Sequence, residues 1–285
     1  MSNTYLHGGS RRALHLSVLL ALLLAVAPAL PEPPGKKKAE GPFHRWKSIR
    51  LKVKSAPLFS GRVWMHRSGG DERVTLRTET MARFLGVKVS TSHTRTSMDA
   101  RTGQPTSFVS YNDKRGRRFT FGEKDILVER IHPDTERPQA PLSDWNVTRS
   151  QRFDYPTDDK GERLPVFDYY GMLLYLQRTD LSSVGDEVVL HVATSSGPQP
   201  FRIRVADIRA ADLEYRLLNE DRTRTASLRE MRLRILPADP DSDEGFLKMK
   251  GETELWLEAD SKTVLRIGGR APKAGRVVLE LAEMG

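Results

Sequence analysis

The chain of 285 residues carries 46 lysines and arginines against 37 aspartates and glutamates, a formal net charge of +9, and contains no cysteine. The lack of cysteine excludes disulfide bonds, thiolate nucleophiles, cysteine-ligated zinc, iron–sulfur clusters and a lipidated cysteine anchor. The hydrophobic share of 38% is ordinary for a globular protein, so a chain of this length can bury a sizeable core.

Residues 1–29 have the layout of a secretory signal peptide. Two arginines precede an uninterrupted apolar run over residues 18–27, and Ala-Pro-Ala at residues 27–29 provides the small side chains of a cleavage site. We therefore expect cleavage after Ala29 and a periplasmic or secreted mature protein. The alternative is an uncleaved N-terminal anchor, although a membrane-spanning helix needs about 20 apolar residues.

Removal of residues 1–29 takes away two arginines and no acidic residue, which leaves a charge of +7. An exported protein does not meet nucleic acid, so we expect none as a partner. The natural targets of positive charge outside the cytoplasm are anionic envelope polymers and lipid headgroups, the latter through peripheral contact with a membrane. The sequence does not indicate an oligomeric state.

The remainder of the chain reads as a linker followed by strands. Residues 30–44 are rich in proline and lysine and predict an extended linker before a domain over residues 45–285. Alternating apolar and polar residues predict about ten short strands, over residues 49–53, 74–78, 107–111, 117–122, 125–131, 187–193, 201–205, 231–236, 247–257, 264–267 and 276–281. Residues 132–165 contain five prolines and many charges without periodicity, which predicts a long surface loop.

One segment predicts a helix. Asp168 is a suitable N-cap for residues 169–176, which are apolar on nearly every side and must therefore be covered on all sides. A buried strand is the alternative for so short an apolar run. The predicted fold is mainly β: a single curved antiparallel sheet, half-barrel or barrel-like, wrapped around one apolar helix. The helix residues expected to fill the concave side are Tyr169, Tyr170, Leu173 and Leu176.

Several short motifs resemble a bacterial periplasmic family catalogued as domain of unknown function number 3108. The matching positions are Val166-Phe167-Asp168 leading into Leu173, Leu176 and Arg178, then Gly185-Asp186, Trp256-Leu257-Glu258-Ala259-Asp260, and Gly275-x-Val277-x-Leu279-x-Leu281. The resemblance covers residues 45–285 and implies a curled antiparallel sheet around a helix, similar to the lipoprotein carriers of the envelope. It implies no catalytic residue. The long segment 132–165 and the arginine-dense strands depart from the family pattern.

Alternating cations on three predicted strands suggest a ligand-binding basic face. Side chains on a strand alternate between faces, so each strand places two cations opposite its core. If the second and third of these strands form a hairpin, their cations lie close together, and either Glu252 and Glu254 or an anionic partner must neutralise them. An ordinary solvated face is the simpler interpretation. The six candidates are Arg202, Arg204, Arg232, Arg234, Lys248 and Lys250.

No motif of the standard metal, serine-hydrolase or nucleotide sites occurs, so we expect neither a metal nor a cofactor. His66 and His191 are expected to be structural. Residues 239–245 space carboxylates like a calcium loop but lack its glycine and its final glutamate, which favours an acidic turn.

The sequence therefore leaves three functional hypotheses. We prefer a non-catalytic cell-envelope protein that binds a lipid, another apolar ligand or an anionic envelope polymer. The first alternative is a hydrolase of envelope polymers that uses the carboxylates of Asp154, Asp158 and Asp159. The second is a purely structural assembly factor.

Overall fold

The computed structural model describes residues 46–54, 59–137, 140–218, 220, 222–239, 245–272 and 275–285. The predicted signal peptide and linker, and most of the predicted acidic turn, lie outside these residues. Among the described residues, no helix has the length and apolar character needed to cross a membrane.

The described residues form fifteen strands and one α-helix, which confirms the mainly β prediction. The first eight strands are β1 (Ser48–Val53), β2 (Phe59–Gly69), β3 (Arg73–Phe84), β4 (Val87–Asp99), β5 (Pro105–Tyr111), β6 (Gly116–Phe121), β7 (Asp125–His132) and β8 (Asn146–Asp154). After β9 (Val166–Phe167) and α1 (Tyr169–Leu176) follow β10 (Glu187–Thr194), β11 (Gly197–Leu217), β12 (Thr223–Pro237), β13 (Lys250–Glu258), β14 (Val264–Ala271) and β15 (Gly275–Met284).

All fifteen strands belong to one sheet, ordered β8-β7-β6-β5-β4-β3-β2-β1-β15-β14-β13-β12-β11-β10-β9. Neighbours are antiparallel except for the short β9–β10 pairing. The end of β11 also pairs in parallel with the end of β15, at Arg216 with Glu283 and Leu217 with Met284. This extra pairing curls the second half of the sheet back on itself, while β8 and β9 remain its outer strands, so the sheet is not a closed barrel.

The helix begins and ends where the sequence predicts. Asp168 caps it by accepting hydrogen bonds from the backbone N–H groups of Tyr170 and Gly171. Six of its eight residues are buried, including Met172 and Leu176, at 0% and 1% exposure. An eight-residue helix is too short to be stable alone in water, so its stability comes from packing.

Two apolar clusters form the interior. The larger one surrounds α1 and contains side chains of β1, β2 and β9–β15, such as Ile49, Phe201 and Leu255. The smaller one joins β5, β6 and β7 through Phe108, Phe119 and Val128. The helix therefore packs at the centre of the larger core, on one half of the sheet, and the other half has its own, smaller core.

The predicted loop over residues 132–165 is wrong in part, because it contains β8. This strand pairs only with β7, and it is exposed at almost every position. An edge strand that buries neither face has no apolar alternation, which is why its sequence gave no strand signal. Strands β2, β4 and β9 were also missed, and the predicted strand 247–257 begins only at Lys250.

Candidate functional site

On one face of the sheet, a row of residues that lie opposite one another on successive strands changes from hydroxyl-bearing to arginine side chains. The face is the one toward α1, since Thr96 on β4 donates a hydrogen bond to Asp168 at 2.7 Å. Successive strands place residues directly opposite one another, so their side chains lie about 5 Å apart. From β3 to β8 the row reads Thr78, Thr94, Ser110, Arg117, Arg130 and Arg149.

This row borders a cleft of about 470 Å³ between the inner face of β3–β7 and the start of α1. Its volume lies in the range of small-molecule sites. The lining combines cations, hydroxyls and aromatic rings and includes no carboxylate. The cleft is defined by Thr80, Ser92, Thr94, Phe108, Ser110, Tyr111, Asn112, Arg115, Gly116, Arg117, Phe119, Arg130, Tyr169, Tyr170, Ala193, Thr194, Ser195, Leu247 and Lys248.

Three arginines continue the row across adjacent strands, and we call them the arginine row. Arg117 on β6 lies opposite Arg130 on β7, which in turn lies opposite Arg149 on β8. All three are exposed, and none of them forms an ion pair within the described part of the chain. Like charges directly opposite each other on a sheet are unfavourable. The fold therefore retains a local excess of positive charge at some cost in stability.

The floor of the cleft is aromatic. The rings of Phe108 and Phe119 pack at a tilt of 45° with centroids 5.4 Å apart, and both residues belong to the smaller core cluster. Tyr170 reaches the cleft from the first turn of α1, and the hydroxyl-bearing Thr80 and Thr94 line the cleft beside it. Burial raises the pKa of Tyr170, so the tyrosine hydroxyl keeps its proton at neutral pH. The floor thus offers flat apolar surfaces with hydroxyl groups at their edges.

A buried carboxylate fixes the helix that bears Tyr169 and Tyr170. Asp168 is fully buried, and its Oδ1 accepts hydrogen bonds from Thr96 and from two backbone N–H groups at 3.0 Å. Its Oδ2 has no hydrogen-bond partner. Burial raises the pKa of Asp168 to about 6, although the hydrogen bonds to Oδ1 oppose that shift. Asp168 is not a lining residue of the cleft, so we assign it a positioning role.

Part of the predicted basic face is neutralised internally. Arg232 pairs with Glu254 at 3.4 Å, and Arg234 forms a bidentate ion pair with Glu252. Arg202 pairs with Glu187 at 3.3 Å, while Arg204 lies opposite Glu187 and Arg234. The register of β12 and β13 also separates the arginines from the two lysines, so the expected clustering of these four cations is wrong.

The two lysines lie in different places. Lys250 begins β13 opposite Arg270. Lys248 belongs to a short 3-10 turn at Phe246–Lys248, has a φ of 60°, and lines the cleft. Of the six predicted basic residues, it is the one that the cleft contains.

The carboxylates considered for hydrolysis lie away from the cleft. Asp154 is exposed at the end of β8, and Asp159 is exposed in a turn. Asp158 accepts hydrogen bonds from the backbone N–H groups of Lys160 and Glu162, at 2.9 and 2.8 Å. None of the three lines the cleft.

The histidines occupy structural positions. His66 shares a 2.7 Å hydrogen bond with Ser48 across β1 and β2. His191 is half-buried in β10, and burial lowers its pKa. The described residues contain no group of three or more His, Asp or Glu placed to hold a metal ion.

Sequence reasoning missed Arg115, Arg117 and Arg130. The available signal was that Arg117 and Arg130 lie two residues from Phe119 and Val128 on predicted strands, and therefore on the same face as these apolar residues. The register that aligns the two arginines is not visible in the sequence.

The fold defines the class of protein as a β-barrel-like domain. Among solved structures, the chain is similar to a β-barrel-like protein of domain of unknown function DUF1849 from Brucella abortus. The two are 11% identical, with a TM-score of 0.52, over 84% of this chain and 95% of that chain. Neither a family model nor a curated protein matches the chain. This likeness shows the fold alone, so the resemblance to family 3108 is not confirmed beyond a β-barrel-like domain of unknown function.

Proposed function

We propose that this protein is an exported, non-catalytic binding protein of the cell envelope, and that its cleft binds an acidic polysaccharide. The proposal rests on one observation: the three arginines of the arginine row lie opposite one another at the cleft, and none of them forms an ion pair with a described carboxylate.

Cations that lie opposite each other on adjacent strands lower the stability of the fold unless an anion neutralises them. At several other places in the described chain, a buried carboxylate pairs with more than one cation; Glu283, for example, pairs with Arg50, Lys52 and Arg216. The arginines of the arginine row have no such carboxylate partner among the described residues, so they repel one another across the strands. A bound polyanion removes that repulsion and gains charge-assisted hydrogen bonds, which are about twice as strong as neutral ones.

The spacing and the lining favour a sugar polymer over a lipid. Cations that recur about every 5 Å across a sheet suit a chain with one anionic group per unit. Hydroxyl groups and the aromatic floor suit sugar hydroxyls and ring faces. By contrast, the large apolar interior is filled by α1, with Met172, Phe167 and Phe201 at 0% exposure. Among the described residues, the tight packing around the helix therefore disfavours an acyl chain in this apolar interior.

A calorimetric titration with oligogalacturonate tests the proposal. The fully methyl-esterified oligosaccharide is the matched ligand, because it keeps the backbone and loses the charge. We expect binding of the acid form only, and we expect Arg117→Gln/Arg130→Gln to weaken it at least tenfold, since each charge-assisted bond contributes about 1.5–3 kcal/mol.

The control variant is Arg77→Gln/Arg95→Gln. These two arginines also lie directly opposite each other on adjacent strands and are exposed, but on the other face of the sheet. They carry the same charge change at a distance from the cleft. Equal loss of affinity in both double variants would reduce the interaction to general electrostatics and defeat the proposal.

The export component has a separate test. Mass spectrometry of the protein isolated from the envelope fraction should show an N-terminus at Leu30. Recovery of the chain with residues 1–29 still attached would support the anchored alternative instead.

A further inference from the structure

The end of the β3–β4 hairpin carries a concentrated group of exposed apolar side chains. In the described part of the chain, eight large apolar residues are exposed, and four of them lie within residues 82–90, the hairpin tip. Phe84, Leu85, Val87 and Val89 are 47%, 65%, 67% and 56% exposed. Single exposed apolar residues are normal, whereas four within six positions form a patch that requires an explanation.

The β3–β4 hairpin extends past β5 on one side, whereas β2 accompanies it on the other side and β1, the next strand, ends earlier. The pairing of β1 with β2 ends at Lys52 with Arg62, and the pairing of β5 with β4 begins only at Tyr111 with His93. Among the described residues beyond these positions, β2 alone continues beside the hairpin, as far as the pair of Phe59 with Phe84. The apolar side chains are therefore carried to the end of a narrow projection.

The turn itself uses an unexpected residue. Leu85 and Gly86 connect the strands with φ values of 50° and 81°, so both lie in the left-handed region. A two-residue turn of this kind prefers Asn-Gly, because a bulky side chain is strained at positive φ. Strain kept at an exposed leucine, where asparagine would relieve it, points to a function for the apolar side chain.

Cations flank the apolar patch. Arg83 and Lys88 lie opposite each other at the base of the turn, and Arg62 lies on the neighbouring strand. From Thr80 to Ser92 the chain contains no acidic residue. The hairpin tip thus combines apolar side chains at its end with positive charge immediately behind them.

We propose that the hairpin tip docks this protein on an anionic lipid bilayer. The four apolar side chains enter the boundary between headgroups and acyl chains, and Arg83 and Lys88 meet the lipid phosphates. A bilayer fits better than a protein partner, because a stable protein interface needs about 800 Å² from each side and this projection is only a few residues wide. This docking site is separate from the cleft and does not depend on the cleft's ligand.

Co-sedimentation of the purified protein with vesicles tests this proposal. We expect binding to vesicles of equal parts phosphatidylcholine and phosphatidylglycerol, and weak binding to pure phosphatidylcholine. Leu85→Asn/Val87→Asn should lower the partition coefficient at least tenfold, because the loss of several buried methyl and methylene groups accounts for a change of that order. Arg83→Gln/Lys88→Gln should lower it by about 25-fold on anionic vesicles only, at roughly fivefold per charge.

Three controls make the result decisive. Leu85→Asn/Val87→Asn should leave the melting temperature unchanged or raise it, since asparagine accepts positive φ at residue 85 and Val87 is exposed, so lost binding cannot be attributed to unfolding. Val184→Asn alters an equally exposed side chain, at 62%, outside the hairpin tip and should bind normally. Arg117→Gln/Arg130→Gln reports any contribution of the cleft. Unchanged vesicle binding by the hairpin double variant, or a loss of self-association in its place, overturns the proposal.

Discussion

The two halves of the sheet differ in how their arginines are paired with carboxylates. Around α1, buried carboxylates bind several cations each: Glu230 pairs with Arg209 and Arg266, both at 3.0 Å. On β6, β7 and β8, arginines of neighbouring strands face each other without such partners. The contrast is confined to the three arginines of the arginine row, because elsewhere on the same strands Arg118 pairs with Glu129 and Arg152 with Asp125. A formal net charge therefore says little until its distribution is known.

The core of the half around α1 should be the most sensitive region. Leu176 is 1% exposed within the larger apolar cluster. Leu176→Ala should lower the free energy of unfolding by about 2–5 kcal/mol, because it removes buried groups and leaves a cavity. Urea denaturation measures the change, and Val184→Ala, at an exposed position, should stay within about 0.5 kcal/mol of wild type. A small effect of Leu176→Ala would show that the helix is not the centre of the fold.

The buried Asp168 should impose an unusual pH dependence on the same half. Its folded pKa of about 6 lies above its ordinary value of 3.8, so the native state binds the proton more tightly. Stability is therefore fully present below the ordinary value and falls as the pH rises toward 6, by about 3 kcal/mol. Asp168→Asn removes this titration. The difference in unfolding free energy between variant and wild type should shift by most of that amount, about 2 kcal/mol, in favour of the variant between pH 4 and pH 7.

Denaturation of both proteins at the two pH values checks this prediction, since other titrating groups cancel in the difference. Parallel pH profiles would mean that Asp168 titrates normally.

The multiply paired Glu283 gives a smaller effect of opposite sign. Burial alone would raise the pKa of Glu283, but the hydrogen bond from Lys52 and the charges of Arg50 and Lys52 hold it below its ordinary value. Its stabilisation is present at neutral pH and is lost as the pH falls. Glu283→Gln should cost about 2 kcal/mol at pH 7, in the range of hydrogen bonds to charged groups, and less at low pH. A cost that is independent of pH would argue against the ionic origin.

The smallest effect should be a gain in stability. Arg130→Glu converts a repulsive cross-strand neighbour into a partner for Arg117 and Arg149, and it should stabilise the protein by about 0.5 kcal/mol. The same change in the other half, Arg232→Glu, places a carboxylate beside Glu254 and should destabilise it by a similar amount. Thermal melting compares the two. If both variants were destabilised, the repulsion between Arg130 and its neighbours would not be a significant cost, and the proposed difference between the two halves would be wrong.

The sequence predicted secondary structure correctly where one side of an element is buried, because burial makes apolar residues recur at the spacing of a strand or a helix. Asp168 followed by an apolar octet predicted α1 with correct ends, and Ile49, Leu51 and Val53 predicted β1. The same logic failed at β8, because an exposed edge strand has no buried face. The basic face was a partial success: the arginines of β11 and β12 alternate as predicted, but Lys248 leaves its predicted strand for the 3-10 turn and lines the cleft.

The amino-acid pattern by itself determined a mainly β domain with one enclosed apolar helix. Period-two alternation buries its apolar residues when the segment is a strand with one face on the core, and an all-round apolar helix is removed from water only when it is covered on every side. Only the tertiary structure decided which cations remain accessible. Register across β5–β8 aligned Ser110, Arg117, Arg130 and Arg149, and register across β12 and β13 brought Glu254 to Arg232. Such pairings join residues distant in the chain, and a shift of one position would reverse the faces, so no local pattern encodes them.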